Sequence, residues 1–313
     1  MGGALCEIIS MKEGLSIVAG IDFSASSPMV LAHTAKIAAA TGARVLAAHV
    51  IGSGAIREWE RTADCAAQTA ARVEEIAARL GGMLAEHCSG VPCECDVRIG
   101  NPPAMLARIL TDHRADLLVL AAHDLTKRRL GTVAAACARS APADVLILRD
   151  WQGSYFRRIA ACVDYSPSSS AGLDRAITLA DAHEASLEII HVIFPPDRDP
   201  WGRVMDQPMD ADTDYGQCVR ERASAAMDEF LQPHAARLAK IISTVRFLES
   251  ASPAAAISAH VEAAGIDLIV TGSHAGSWIE EFVLGSNTER LLHDASSSVL
   301  VARGWNTRGS GGV

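Results

Sequence analysis

The sequence has no run approaching the ~20 uninterrupted apolar residues that a membrane-spanning helix needs, although 49% of its residues are apolar. Its first residues, MGGALCEIISMKEG, lack both a basic n-region and a sustained apolar h-region, so no secretory leader is expected and a soluble cytoplasmic protein follows. Basic charge is also short. Against 37 Asp and Glu stand 28 Lys and Arg, a formal net charge of -9. That sign disfavours binding to nucleic-acid phosphates, and Lys127-Arg128-Arg129 is too short a cluster to reverse it. A disulfide framework is missing too: eight cysteines are scattered without regular spacing, as reduced thiols are. His87, Cys88, Cys93 and Cys95 come nearest to a metal group, but no C-x2-C pair is among them, and thiols near a helix end are the plainer reading. No Walker A pattern occurs, which disfavours a P-loop mechanism, and no G-x-S-x-G elbow marks a nucleophile.

What the sequence does have is itself, twice. SIVAGIDFS with Asp22 and Ser24 returns as RIAACVDYS with Asp164 and Ser166, and His49-Val50-Ile51 returns as His191-Val192-Ile193, both displaced by 142 residues. ADLLVLAAH and IDLIVTGSH align Asp116 with Asp267 and His123 with His274 at a displacement of 151. LGTV and LGSN align Gly131 with Gly285 at 154. The nine residues gained in between fall in a Pro- and Asp-rich loop over 194–215, and the last step means that copy one lacks three residues between His123 and Gly131. A chain of 313 residues comfortably holds two domains, expected over 14–150 and 155–304, with a disordered Gly-rich tail at 305–313.

Within each copy, short β-branched runs alternate with Ala-rich helical stretches, the pattern of βαβ units and a parallel sheet. Strands are expected near 16–21, 44–50, 95–99, 117–122 and 144–149, and again near 158–163, 187–193, 243–249, 268–272 and 298–302. The fold class is α/β: two tandem doubly wound domains, each a five-stranded parallel sheet flanked by helices. Ser24 to Ser27 and Ser166 to Ser170 offer N-cap hydroxyls to the first helix of each copy, and Gly42 is placed to end the first of these helices.

Ligands of such sheets bind at the carboxyl ends of the strands, at the switch point, and the repeated residues fall there. Asp164, and Asp22 in copy one, can accept hydrogen bonds from a ligand or cap their own helix. In copy two, Thr271-Gly272-Ser273-His274-Ala275-Gly276 is followed by Gly285-Ser286-Asn287-Thr288 opening a helix. Glycines admit close backbone approach and a helix N-terminus presents free N–H donors, so the segment reads equally as a phosphate cradle or as a plain βα loop. His123 and His274 follow strands, but no carboxylate or nucleophile recurs with them, and His49 and His191 read as loop-packing residues. No catalytic residue is assigned.

These pieces, together with GNPPAML and LGSNTERLLHDASSSVLVAR, resemble a universal stress protein written twice, over residues 14 to 303. The ATP-binding pattern of that family, G-x2-G-x9-G-[S/T], is matched in copy two by Gly272, Gly285 and Ser286 with the right spacing, Ala275 standing where the second glycine belongs and Gly276 beside it. The resemblance implies that Asp164 and the backbone around Val192 hold adenosine and that Gly272, Gly285 and Ser286 hold the phosphates of ATP, with or without Mg²⁺. Copy one reads Ala121-x2-Asp124 and then Gly131-Thr132 after only six residues, so weak or absent ATP binding is expected there. The resemblance further implies an internal pseudo-dimer about a pseudo-twofold axis, homo-oligomers beyond it, and a stress-response module that passes nucleotide occupancy to a protein partner, with at most slow ATP hydrolysis. Two alternatives stand beside it: a nucleotide-free interaction scaffold, and a hydrolase-like enzyme using the 194–215 loop as a lid.

Overall fold

A computed structural model describes residues 15–52, 65–122, 130–149, 155–195, 215–273 and 284–303. They group into two compact units that divide between Tyr155 and Phe156, called domains 1 and 2 below. The expected tail, the connection at 150–154, most of the 194–215 loop, and His123, His274, Ala275 and Gly276 lie outside the described residues.

Domain 1 runs β1 (Ser16–Gly20), α1 (Ser27–Thr41), β2 (Arg44–Gly52), α2 (Cys65–His87), β3 (Cys93–Gly100), α3 (Pro102–Asp112), β4 (Leu117–Ala121), α4 (Thr132–Ser140) and β5 (Asp144–Leu148). Its strands lie in the order β3-β2-β1-β4-β5, all parallel. The chain winds outward from β1 in one direction, then returns to its other side with β4, so the switch point lies between β1 and β4. Ile17, Val18 and Ala19 of β1 are wholly buried, as a strand flanked on both sides and covered on both faces must be.

Domain 2 repeats the plan with β6 (Arg158–Cys162), α5 (Pro167–His183), β7 (Ser186–Ile193), α6 (Tyr215–Leu231), a short 3-10 turn (Gln232–His234), α7 (Ala235–Leu238), β8 (Ser243–Glu249), α8 (Pro253–Ala264), β9 (Leu268–Gly272), α9 (Ser286–Asp294) and β10 (Ser298–Ala302). Its order is β8-β7-β6-β9-β10, again parallel, with the switch point between β6 and β9. In α5, Leu173, Ala176, Ile177 and Ala180 are buried, the three- and four-residue spacing of one helical stripe against the sheet. No described helix is long and apolar enough to cross a membrane.

The paired aspartates act at the strand starts. Asp116 Oδ2 accepts from the amide of Ser16 at 3.0 Å, and Asp267 Oδ2 accepts from those of Arg157 and Arg158 at 2.6 and 2.9 Å. Each staples the start of its strand to the central one. Gly42 ends α1 in the left-handed conformation (φ 68°). Ser166 caps α5 by accepting from the Ser169 amide at 3.2 Å, whereas Ser26, at the corresponding end of α1, makes no side-chain cap bond.

Candidate functional site

At the end of each central strand the chain turns in the same way. Asp22 Oδ1 accepts from the Ser24 amide at 2.9 Å and from Ser27 Oγ at 3.2 Å. Asp164 Oδ1 accepts from the Ser166 amide at 3.1 Å and from its hydroxyl at 2.5 Å. Both carboxylates therefore form a tight turn two residues on rather than a helix cap, and both residues remain exposed. Between aspartate and serine sits an aromatic residue at positive φ, Phe23 at 60° and Tyr165 at 64°. This backbone is unfavourable for a residue with a Cβ, and the packing compensates. Phe23 lies 4.7 Å from the His49 ring, and Tyr165 stacks on His191 at 4.3 Å.

Each histidine is fixed in turn by its Nδ1–H, which donates to the carbonyl of Ile21 (2.7 Å) or Val163 (2.9 Å). His49 and His191 are thus packing residues of the site's edge. Burial lowers the His191 pKa, partly offset by the Val163 carbonyl and the Asp164 charge. Tyr165 donates its hydroxyl to the Ala223 carbonyl of α6 at 3.0 Å, and burial pushes its pKa up to about 12. The recurrence of Phe23 and Tyr165 with His49 and His191 at one displacement is a usable signal of this pairing in the sequence.

The ends of β6, β7 and β9 lie side by side, Cys162 pairing in register with Ile190 and with Thr271. This brings Asp164, Val192 and Gly272 to one edge. Gly272 closes β9, and a Cβ built on it would stand 2.8 Å from the carbonyl carbon of Ser168 and 2.9 Å from its oxygen and its hydroxyl. Helix α5 therefore approaches β9 through a gap that only glycine leaves open. Gly285 is the N-cap of α9 (φ -63°, ψ 145°) with no side-chain cap, its amide donating to Ser273. Ser286 and Asn287, the first helical residues, are exposed. Thr288 Oγ1 donates to the Gly272 carbonyl at 3.0 Å and lies 3.2 Å from Thr271 Oγ1, anchoring the first turn of α9 to the end of β9. The uncapped N-terminus is thereby held beside the switch point, where its amides and partial positive charge suit an anion. Ala275 and Gly276 lie outside the described residues.

Domain 1 builds the same helix start. Gly131 caps α4 with φ -65° and ψ 152° and likewise without a side-chain bond. What differs is the wall: Ala121 replaces Gly272, Leu120 replaces Thr271 and Gly20 replaces Cys162. At this switch point a cavity of about 260 Å³ opens between Ile21, Val30, His49, Leu106, Leu120 and Gly131, just under the ~300–1,000 Å³ of small-molecule sites. The sequence, in which domain 1 looks the more damaged copy, gave no hint of it. In domain 2 the corresponding Cys162 thiol is desolvated, which pushes its pKa up to about 12. Among the described residues no group of three or more His, Cys, Asp or Glu is arranged to hold a metal ion.

Comparison with known proteins agrees with the duplication. The profile of the Universal stress protein family matches residues 15–149 and 155–303. Universal stress protein A homolog 1 of Coxiella burnetii is 28% identical over 148 residues, which is 47% of this chain and 95% of that protein. Universal stress protein YxiE of Bacillus subtilis is 24% identical over 162 residues, 47% of this chain and 99% of that protein. Among solved structures, a universal stress protein from Archaeoglobus fulgidus has the same fold along 93% of this chain and 98% of its own, with a TM-score of 0.64 at 18% identity.

Proposed function

Because the chain belongs to the universal stress protein family, we propose that it is a stress-response protein whose domain 2 binds ATP and passes that occupancy on as a regulatory or interaction signal. The observation that carries this reading is the uncapped N-terminus of α9, anchored by Thr288 to the end of β9 beside the switch point. The residues there suit a nucleotide. Backbone amides of the first turn and the Ser286 hydroxyl meet phosphate oxygens, while Asp164 at the end of β6 accepts from ribose hydroxyls. Gly272 serves by letting α5 close on the strand, so its part is to shape the crevice. Mg²⁺, where present, neutralises phosphate charge and calls for no protein carboxylate of its own. Among the described residues of this site none is placed as a base for rapid hydrolysis, and ATP acts as a ligand whose presence alters affinity for a protein partner or for further copies of the chain.

The cavity at the domain 1 switch point favours a second reading, in which domain 1 is the copy that receives the nucleoside part of the ligand. Calorimetry of the full chain with ATP, with and without Mg²⁺, separates the two when Gly285→Asp and Gly131→Asp are compared, since each places a carboxylate at one helix start. One ATP per chain, lost only in Gly285→Asp, supports domain 2. Loss only in Gly131→Asp transfers the function to domain 1, and no binding at millimolar ATP leaves a nucleotide-free scaffold.

A further inference from the structure

Between α5 and the 3-10 turn, domain 2 holds a serine, a histidine and an aspartate hydrogen-bonded in series. Ser170 and Asp174 stand one turn apart on α5, which puts both side chains on one face of the helix. His234 comes from the 3-10 turn 60 residues beyond Asp174. Its Nδ1 is 3.0 Å from Asp174 Oδ1, and its Nε2 is 3.1 Å from Ser170 Oγ. A carboxylate only accepts, so in the neutral ring the proton sits on Nδ1 and the Nε2 lone pair receives the Ser170 hydroxyl. Both separations fall within the reach of a nucleophile and its base.

The surroundings hold this order in place. The His234 ring is 5% exposed, while Ser170 keeps partial access to solvent. Arg237 Nη1 donates to the same Asp174 Oδ1 at 2.7 Å, and its Nη2 donates to Thr178 Oγ1 at 2.8 Å. Burial alone would raise the Asp174 carboxyl, but the hydrogen bond from His234 and the charges of His234, Arg237 and Arg175 outweigh it and keep the group ionised below its ordinary range. The fold does not require the group. The repeat puts Pro28 and Ala32 at the matching positions of α1, and domain 1 forms its first helix without it.

We propose that Ser170 is a nucleophile with His234 as its base, acting on small activated acyl esters. Asp174 and Arg237 are positioning residues that hold the imidazole in the required tautomer. In the first step Ser170 Oγ bonds to the acyl carbon while His234 Nε2 takes the hydroxyl proton. The C–O bond to the leaving alcohol then breaks, and the alcohol departs with that proton. Water, deprotonated by the same nitrogen, releases the acid and restores Ser170, so ester and water give acid and alcohol. Ser170 lies near the N-terminus of α5, whose partial positive charge favours the anionic intermediate.

The test is covalent labelling of the full chain with a fluorophosphonate, which loses fluoride to an activated serine, followed by peptide mass spectrometry, with p-nitrophenyl acetate hydrolysis measured alongside. The expected result is an adduct on Ser170 and a fall in hydrolysis of about 100-fold in both Ser170→Ala and His234→Gln. Asp174→Asn should lower the rate about tenfold or more, because an amide no longer fixes the tautomer, and Asp174→Glu should recover part of it. A purely structural network would not discriminate in this way. Absence of an adduct from Ser170 in the native chain overturns the proposal without any variant. Hydrolysis by a folded Ser170→Ala protein at the native rate overturns it as well.

Discussion

Tyr165 stacks on His191 with ring centroids 4.3 Å apart while its own backbone sits at φ 64°. Two opposed effects meet at this residue, and two substitutions separate them. Tyr165→Ala keeps the left-handed strain and loses the stack and the half-buried ring, a cost of about 2–3 kcal/mol. Tyr165→Gly loses the same contacts but relieves about 1 kcal/mol or more of strain. Urea unfolding should therefore rank native above Gly above Ala, and equal losses would show that the strain is not real.

Gly272→Ala tests the closeness of α5 to β9. The added methyl meets the carbonyl carbon and oxygen of Ser168 as well as its hydroxyl, so an unfolding loss of about 1–3 kcal/mol is expected. Adding Ser168→Ala removes only the hydroxyl and should not restore stability. Full rescue by that second change would place the obstruction in the side chain instead.

The pH dependence of domain 2 has two expected parts. His191 is held below its ordinary value of 6.5, chiefly by burial, so between the folded and ordinary values the unfolded chain binds more protons and stability rises with pH. Its contribution is present above about pH 6.5 and is lost as pH falls through the lower folded value. Glu188 is likewise lowered: burial would raise it, but hydrogen bonds from His260 and Arg246 prevail. That contribution is present above its ordinary value of 4.5 and is lost as the pH falls below it. Thermal unfolding followed from pH 7.5 to 4 should show both losses, and His191→Gln should flatten the upper one alone.

The cysteines should separate by reactivity. Burial pushes the Cys137 thiol up to about 12, and burial together with the nearby Cys93 does the same for Cys88, whereas Cys95 is exposed. Thiolates are the reacting species. Of these three, iodoacetamide at pH 8 followed by mass spectrometry should modify Cys95 first, and Cys88 and Cys137 only after denaturation.

Much of the fold was legible in the sequence, because strand and helix patterns depend on neighbouring residues. All ten expected strands are present at or near their expected bounds. The expectation for β3 began too late: Cys93 and Glu94 carry little strand preference of their own but are recruited by pairing with Val45 and Leu46 of β2. The serines before α1 misled in a similar way: Ser26 has the helical angles φ -84° and ψ -13° instead of the extended backbone of a capping residue, and makes no capping bond.

The candidate site divides along the same line. The sequence by itself determined the duplication, the order of the elements and the placing of Asp164, Val192, Gly272 and Gly285 at strand ends and a helix start, because each follows from local pattern and from comparing one copy with the other. Tertiary structure alone decided that Ser168 fills the space above Gly272, that a cavity opens at the domain 1 switch point, and that His234 reaches Ser170 and Asp174. Those relations join residues far apart in the chain, and their distances are set by how helices pack on the sheet, which no local pattern of residues encodes.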